Sequence, residues 1–374
     1  MLKVMSVFGT RPEAIKMAPV VRALNECGEI EAQVCVTAQH REMLDQVLQL
    51  FHITPEYDLN LMKPGQSLTS ITTAVLEGLQ PILQKERPDL LLVHGDTTTT
   101  MAAALAAYYQ QIPVGHVEAG LRSGDKYAPY PEEINRLLTG RLAALHFAPT
   151  PLAKLNLRRE GVLTEQIFVT GNTVIDALLQ AVNQPCDLAG LGLEQVDWSQ
   201  RVILMTCHRR ENWGRPMEEV FRATREVLDS HSDCQLLFPL HKNPLVREIA
   251  RRWLGDSPQT HFCEPLDYLP FCHCMKKCFL VLSDSGGLQE EAPALAKPVL
   301  VLRQVTERPE AVAAGTARLA GTDYATVKAA LLELVDDPQA YAQMAHAANP
   351  FGDGQAAGRI VKAILSVTPD MLKK

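Results

Sequence analysis

No stretch of this 374-residue sequence stays apolar for the ~20 residues that a membrane-spanning helix needs. The chain opens directly on a strand-like pattern, Leu2 to Phe8, without the basic start and apolar core of a secretory signal. A basic excess is missing too. The formal net charge is -7, which argues against nucleic acid as the main partner, because little counterion release is on offer. Nine cysteines are present, an odd number that fits reduced thiols in a cytosol, and none of them stand in C-x-x-C spacing. The group Cys263, Cys272, Cys274 and Cys278 with His261 and His273 therefore reads as packing thiols and imidazoles, and no metal is expected. Two nucleotide fingerprints are also wanting. G-x-x-x-x-G-K-[ST] does not occur, and the one G-x-G-x-x-A match, Gly352 to Ala357, follows Asn349-Pro350-Phe351 rather than a strand. Neither a bound nicotinamide nor ATP hydrolysis is expected, and no other cofactor. These absences describe a soluble, cytoplasmic protein with a small-molecule partner.

What is present is an alternation of short apolar strands and amphipathic helices. Hydrophobic residues make up 47% and charged residues 21%, the balance of a globular chain, and the length exceeds one compact core. Strands are read at Val4–Phe8, Ala32–Thr37, Leu90–His94, Val114–Val117, Phe147–Pro149 and Ile167–Thr170. After a polar stretch from Asn183 to Gln200, read as part of the domain crossover, they resume at 202–206, 235–239, 260–263, 279–283, 298–302 and 317–319. Such alternation implies parallel sheets covered by helices on both faces. The fold class expected is α/β, with two Rossmann-like doubly wound domains, 1–172 and 173–354, facing a cleft. A terminal helix, 355–374, is expected to pack back on the first domain.

Ligands of open α/β sheets bind beyond the carboxyl ends of strands, which selects a short set of loops. In Gly9-Thr10-Arg11-Pro12-Glu13, Pro12 suits the first helical position and holds Arg11 within reach of a phosphate, with Lys16 one turn further on. His94-Gly95-Asp96 leads into Thr97 to Thr100, a poor helix-forming run that points to some other service. His116 to Arg122 brings Glu118, and Tyr130 to Arg136 brings Glu132. One acid at a helix start is an ordinary cap, but three converging on one cleft edge exceed what caps require. In the second half, His208 stands beside Arg209 and Arg210 at a strand end, as in a phosphate site, and His241 is a weaker case of the same kind. The segment Ser283 to Pro309 carries most of the anion chemistry. Ser285-Gly286-Gly287 turns into a helix whose first amides can face an anion, Glu290 and Glu291 follow, and Arg308 returns after the next strand. A diphosphate-sugar clamp is expected there.

Gly9 to Glu13, Thr37 to Arg41, Gly95 to Thr98, His116 to Arg122, Pro131 to Glu133, His208 to Asn212, Asp284 to Glu291 and Thr306 to Glu310 are eight landmarks in register. Together they resemble the bacterial non-hydrolysing UDP-N-acetylglucosamine 2-epimerases over essentially the whole chain. The resemblance implies a GT-B-like architecture, a homodimer, interconversion of UDP-GlcNAc and UDP-ManNAc without a cofactor, and service to cell-surface polysaccharide synthesis. By motif, Asp96, Glu118, Glu132 and His208 resemble the catalytic set. Arg11, Lys16, Asp96, Glu118, Arg136, His208, Leu266, Phe271, Ser285, Gly286, Gly287, Glu291 and Arg308 resemble the substrate contacts. Gln39, His40, Arg209 and His241 resemble a second UDP-GlcNAc site that is allosteric in some members. The sequence departs from the family pattern at Leu266, where a glutamine is usual, and at Cys207 and Tyr130. A hydrolysing epimerase, a UDP-sugar glycosyltransferase and a non-catalytic nucleotide-sugar sensor stand as alternatives.

Overall fold

Parallel strands supply both sheets of the computed structural model, which describes residues 1–38, 41–61 and 65–368. In the first half these are β1 (Leu2–Phe8), β2 (Ile30–Val36), β3 (Tyr57–Asp58), β4 (Leu90–His94), β5 (Val114–Val117), β6 (Leu145–Ala148) and β7 (Ile167–Val169). They lie in the order β3-β2-β1-β4-β5-β6-β7. The second half adds β8 (Arg201–Thr206), β9 (Cys234–Pro239), β10 (Thr260–Cys263), β11 (Leu280–Ser283), β12 (Val299–Val301) and β13 (Ala317–Leu319). Their order is β10-β9-β8-β11-β12-β13. Every residue of β4, β5, β6 and β11 is buried, as expected of strands covered on both faces.

In each sheet the order of strand addition reverses once, between β1 and β4 and between β8 and β11, while all strands stay parallel. At such switch points neighbouring loops run to opposite faces and open a crevice at the strand ends. The loops concerned are Gly9-Thr10 and Gly95-Asp96 in one sheet, Cys207-His208 and Asp284-Ser285 in the other.

The chain divides into two units, one of Met1–Ala177 with the chain from Phe351, the other Leu178–Pro350. The outgoing boundary thus falls inside the helix Thr173–Val182. The stretch from Asn183 to Gln200 belongs to the second unit instead of spanning a crossover. Its entry is pinned there, because the carbonyls of Val182 and Gln184 accept from Lys276 Nζ at 3.1 Å and His273 Nε2 at 3.0 Å. Leu193 and Val196 further along are buried. On the return, Phe351 is fully buried and its carbonyl accepts the Asn172 N–H at 2.6 Å, so the chain rejoins the first unit at 351. The helix Ala356–Ser366 then packs on the helix Arg11–Asn25, with Asp176 accepting the N–H groups of Ala356 and Ala357 at its start.

Gly120 shows how tightly the strand-end loops are fitted. Its φ is +89°, and a Cβ there would stand 2.3 Å from the carbonyl oxygen of Ala153. Gly120→Ala is expected to cost about 1–3 kcal/mol, read as a lower Tm in thermal unfolding. An unchanged Tm would show that this loop relaxes freely.

Candidate active site

The switch-point loops of the first unit are braced to each other through one buried carboxylate. Thr10 caps the helix Arg11–Asn25, and Glu13 closes the capping box by accepting the N–H of Gly9 at 3.0 Å and of Thr10 at 2.7 Å. The second oxygen of Glu13 accepts the hydroxyls of Thr97 at 2.6 Å and Thr100 at 2.9 Å. The service of the threonine run is therefore to join the helix after β4 to the helix after β1.

Glu118 is the first residue past β5 and sits in the left-handed region, at φ +62°. A non-glycine residue there is strained by about 1–3 kcal/mol, a cost that clusters at functional positions. Its buried carboxylate forms an ion pair with Lys16, accepts Asn172 Nδ2 at 2.8 Å and lies 3.8 Å from His94 Nε2. Asp96, past β4, is ion-paired with Arg136, and its carbonyl accepts Asn135 Nδ2 at 2.9 Å. Glu132 and Glu133 divide their work. Glu133 is buried and holds the preceding loop, accepting the N–H of Ser123 and of Gly124 at 3.1 Å each and pairing with Arg136. Glu132 Oε2 is buried with no hydrogen-bond partner among the described residues. Three carboxylates thus occupy one end of one sheet in three settings: paired with Lys, paired with Arg, and bare.

Three buried imidazoles lie on the same sheet as these acids. Burial pushes His94 and His116 down to about 4 each, and His146 to about 3. His116 pairs in register with His146 on β6, and its Nε2 lies 2.7 Å from the carbonyl of Gly95, the residue before Asp96.

In the second unit, Asp284 does the bracing. Fully buried, it accepts the N–H of His208 and of Arg209 at 2.8 Å each and Asn212 Nδ2 at 3.1 Å. His208 Nδ1 stands 3.2 Å from its other oxygen. Burial opposes ionisation of Asp284, but the His208 imidazole and these N–H donors outweigh it and hold the carboxyl below its ordinary value. With Nδ1 turned toward Asp284, Nε2 is the outward nitrogen of a ring that is 42% exposed. The ring of His241 stacks on it at 5.7 Å.

His208, His241, Leu266, Phe271 and Ser285 line one cavity of about 240 Å³, together with Pro239, Pro265 and Leu288. The structure thus gathers five of the residues expected from sequence into a mainly apolar hollow at the β8/β11 switch point. Its other candidates are placed differently. The helix after Gly287 is a single turn, Leu288–Glu291, continued by a 3-10 turn that contains Pro293, so any anion there meets loop amides and little macrodipole. Arg308 is ion-paired with the buried Glu290, and Glu291 accepts the Tyr268 hydroxyl at 3.3 Å. Arg209 lies 3.6 Å from Glu307 and 3.7 Å from Glu211. Lys16, expected on a phosphate, is held by Glu118. Arg11, half-buried at the helix mouth, makes no side-chain ion pair among the described residues. Gln39 and His40 lie outside the described residues.

Asn172 is absent from the candidates above, and Glu13 and Asp284 appear there only within motif runs, although each is a polar residue in the loop or helix start that follows a strand.

A pair of doubly wound parallel sheets in tandem, each with polar groups collected at its switch point, defines a two-domain α/β protein of the GT-B-like class. Residues 22–365 match the model of the UDP-N-acetylglucosamine 2-epimerase family, and the chain belongs to that family. It is 55% identical over 369 residues to UDP-N-acetylglucosamine 2-epimerase of Escherichia coli (strain K12), covering 97% of this chain and 98% of that one. The Bacillus subtilis (strain 168) protein of the same name is 54% identical, covering 97% and 95%. Among solved structures, UDP-GlcNAc 2-epimerase from Neisseria meningitidis bound to UDP-GlcNAc superposes with a TM-score of 0.87 at 48% identity, covering 98% of this chain and all of that one.

Proposed function

We propose that this chain interconverts UDP-GlcNAc and UDP-ManNAc without net hydrolysis, by eliminating UDP and adding it back. One observation carries the reading: Asp96, Glu118 and Glu132 collect at the strand ends of the first unit, and within the second unit His208 and Ser285 line one cavity. The UDP-GlcNAc bound by the Neisseria relative supports the choice of substrate.

The C2 proton of UDP-GlcNAc has no adjacent ketone, so removing it alone would leave an unstabilised carbanion. A carboxylate takes that proton as the C1–O bond to UDP breaks. The C2–H electron pair becomes the C1=C2 double bond of 2-acetamidoglucal, and UDP departs with the C–O pair. In the second half-reaction a UDP oxygen returns to C1 while a carboxylic acid delivers a proton to the other face of C2. Asp96, Glu118 and Glu132 supply the base and the acid. On the departing diphosphate, charge is met by the outward His208 nitrogen, the Ser285-Gly286-Gly287 amides, Arg11, Lys16 and Arg308. Lys16 and Arg308 exchange a carboxylate partner for a phosphate when they do so. Arg136 holds Asp96, Glu291 is the hydroxyl acceptor, and Leu266 and Phe271 give the base an apolar wall.

Incubation with UDP-GlcNAc alone in D2O tests this directly. UDP-ManNAc should appear at equilibrium with deuterium at C2 and little net UDP. Deuterium-free product would rule out the elimination, and free UDP with ManNAc would indicate a hydrolase.

A further inference from the structure

Asn172 spends each of its polar groups on a different part of the first unit. Its backbone N–H donates to the carbonyl of Phe351, where the chain returns from the second unit. Its side-chain oxygen accepts the Val174 N–H at 3.1 Å, at the start of the helix Thr173–Val182. That bond fixes which way the amide faces, so Nδ2 must point away from the helix, and it donates to Glu118 Oε2 at 2.8 Å. The residue is only 2% exposed, which leaves little room for another rotamer.

The neighbours make this junction tight. Gly171 has φ +89°, and a Cβ on it would stand 3.3 Å from both the Gly352 Cα and the Phe351 carbonyl oxygen. The outgoing chain, at 171–172, and the returning chain, at 351–352, therefore meet directly behind a carboxylate whose own backbone is strained. Lys16 holds the same carboxylate oxygen, but on a flexible four-carbon stem, and a Lys that exchanges partners cannot fix an orientation.

We infer that Asn172 is a positioning residue: it sets the direction of the Glu118 carboxylate and ties that direction to the point where the returning chain re-enters the first unit. The inference rests on the proposed role of Glu118 in C2 proton transfer. Groups facing Glu118 that also bear on its titration are Lys16 from the helix Arg11–Asn25 and His94 from β4, with His116 and the Asp96–Arg136 pair beside them.

Two variants separate positioning from folding. Asn172→Ser keeps an oxygen able to cap the helix but cannot reach Glu118, and Asn172→Asp keeps the cap while replacing the donor by an acceptor. Asn172→Ser should retain the wild-type Tm within a few degrees, Asn172→Asp should lower it because a second carboxylate is buried against Glu118, and both should bind UDP with unchanged affinity. Both should lower kcat for C2 exchange by up to about 100-fold with KM within about threefold, the signature of a misplaced group. With one N–H donor to the carboxylate gone, the acidic limb of the kcat profile should also move to higher pH, more so for Asn172→Asp. An unshifted limb with kcat unchanged would overturn the inference, as would a kcat loss in Asn172→Ser that merely tracks a fall in Tm. Wild-type protein that fails to exchange C2–H at all would instead overturn the reading of Glu118.

Discussion

Glu118→Gln should abolish deuterium exchange at C2 of UDP-GlcNAc, a loss of at least about 10²–10⁴-fold, while UDP binding survives or tightens. The amide is nearly isosteric and can still accept from Asn172 Nδ2, so the loop past β5 keeps its shape. What disappears is a group able to take a proton. The half-buried Lys16 ammonium loses its counter-charge at the same time and becomes the more ready to meet a diphosphate. Asp96→Asn should behave in the same direction with one difference: Arg136 retains Glu133, so no cation is released and UDP affinity stays at the wild-type value. Isothermal titration with UDP, set beside NMR exchange in D2O, reads both numbers. Normal turnover by either variant would remove that acid from the catalytic set. A joint loss of exchange, UDP binding and Tm would make it a structural acid.

Much of this arrangement is legible in the sequence because parallel strands buried on both faces read as unbroken apolar runs. The ends of those runs then locate Asp96 and His208 in switch-point loops and Glu118 just past β5. Other features are silent for physical reasons. β3 is two residues long and carries no period. Asn183 to Gln200 has the polar, Pro- and Gly-containing composition of a linker, yet tertiary hydrogen bonds from Lys276 and His273 hold its start. The bracing residues are hidden by distance along the chain, since Asn172 reaches Glu118 across 54 residues, Asp284 reaches Arg209 across 75, and Glu13 reaches Thr97 across 84. Nor could the dipeptide Glu132-Glu133 show which carboxylate is bare. Glu133 is consumed by a loop that only the fold brings to it.

The first unit should come apart in mild acid, and the reason lies in its buried imidazoles. His94, His116 and His146 are held at about 4, about 4 and about 3, whereas the unfolded chain titrates near the ordinary histidine value of 6.5. A depressed folded-state value means that the unfolded chain takes up protons the native chain refuses. Native stability is therefore complete above about pH 6.5, drains as pH falls toward 4, and stops draining below the folded values. Each histidine contributes about 1.4 kcal/mol per pH unit at full slope, and three contribute about 4 kcal/mol per pH unit. Two pH units at full slope therefore remove about 8 kcal/mol, a large part of a typical total of about 5–15 kcal/mol. The second unit's Asp284 is also held below its ordinary carboxylate value, but it loses stability only at lower pH and does not mask the effect. Urea titrations at pH 7.5 and pH 5.5, with hydrogen exchange to assign the loss to each unit, measure it. His146→Gln should flatten the slope by about a third, because His146 lies on β6 and serves none of the proposed proton transfers. Equal stability at the two pH values would show that the folded unit accepts these protons after all, and that its β5 and β6 strand ends open to water far more readily than their burial implies.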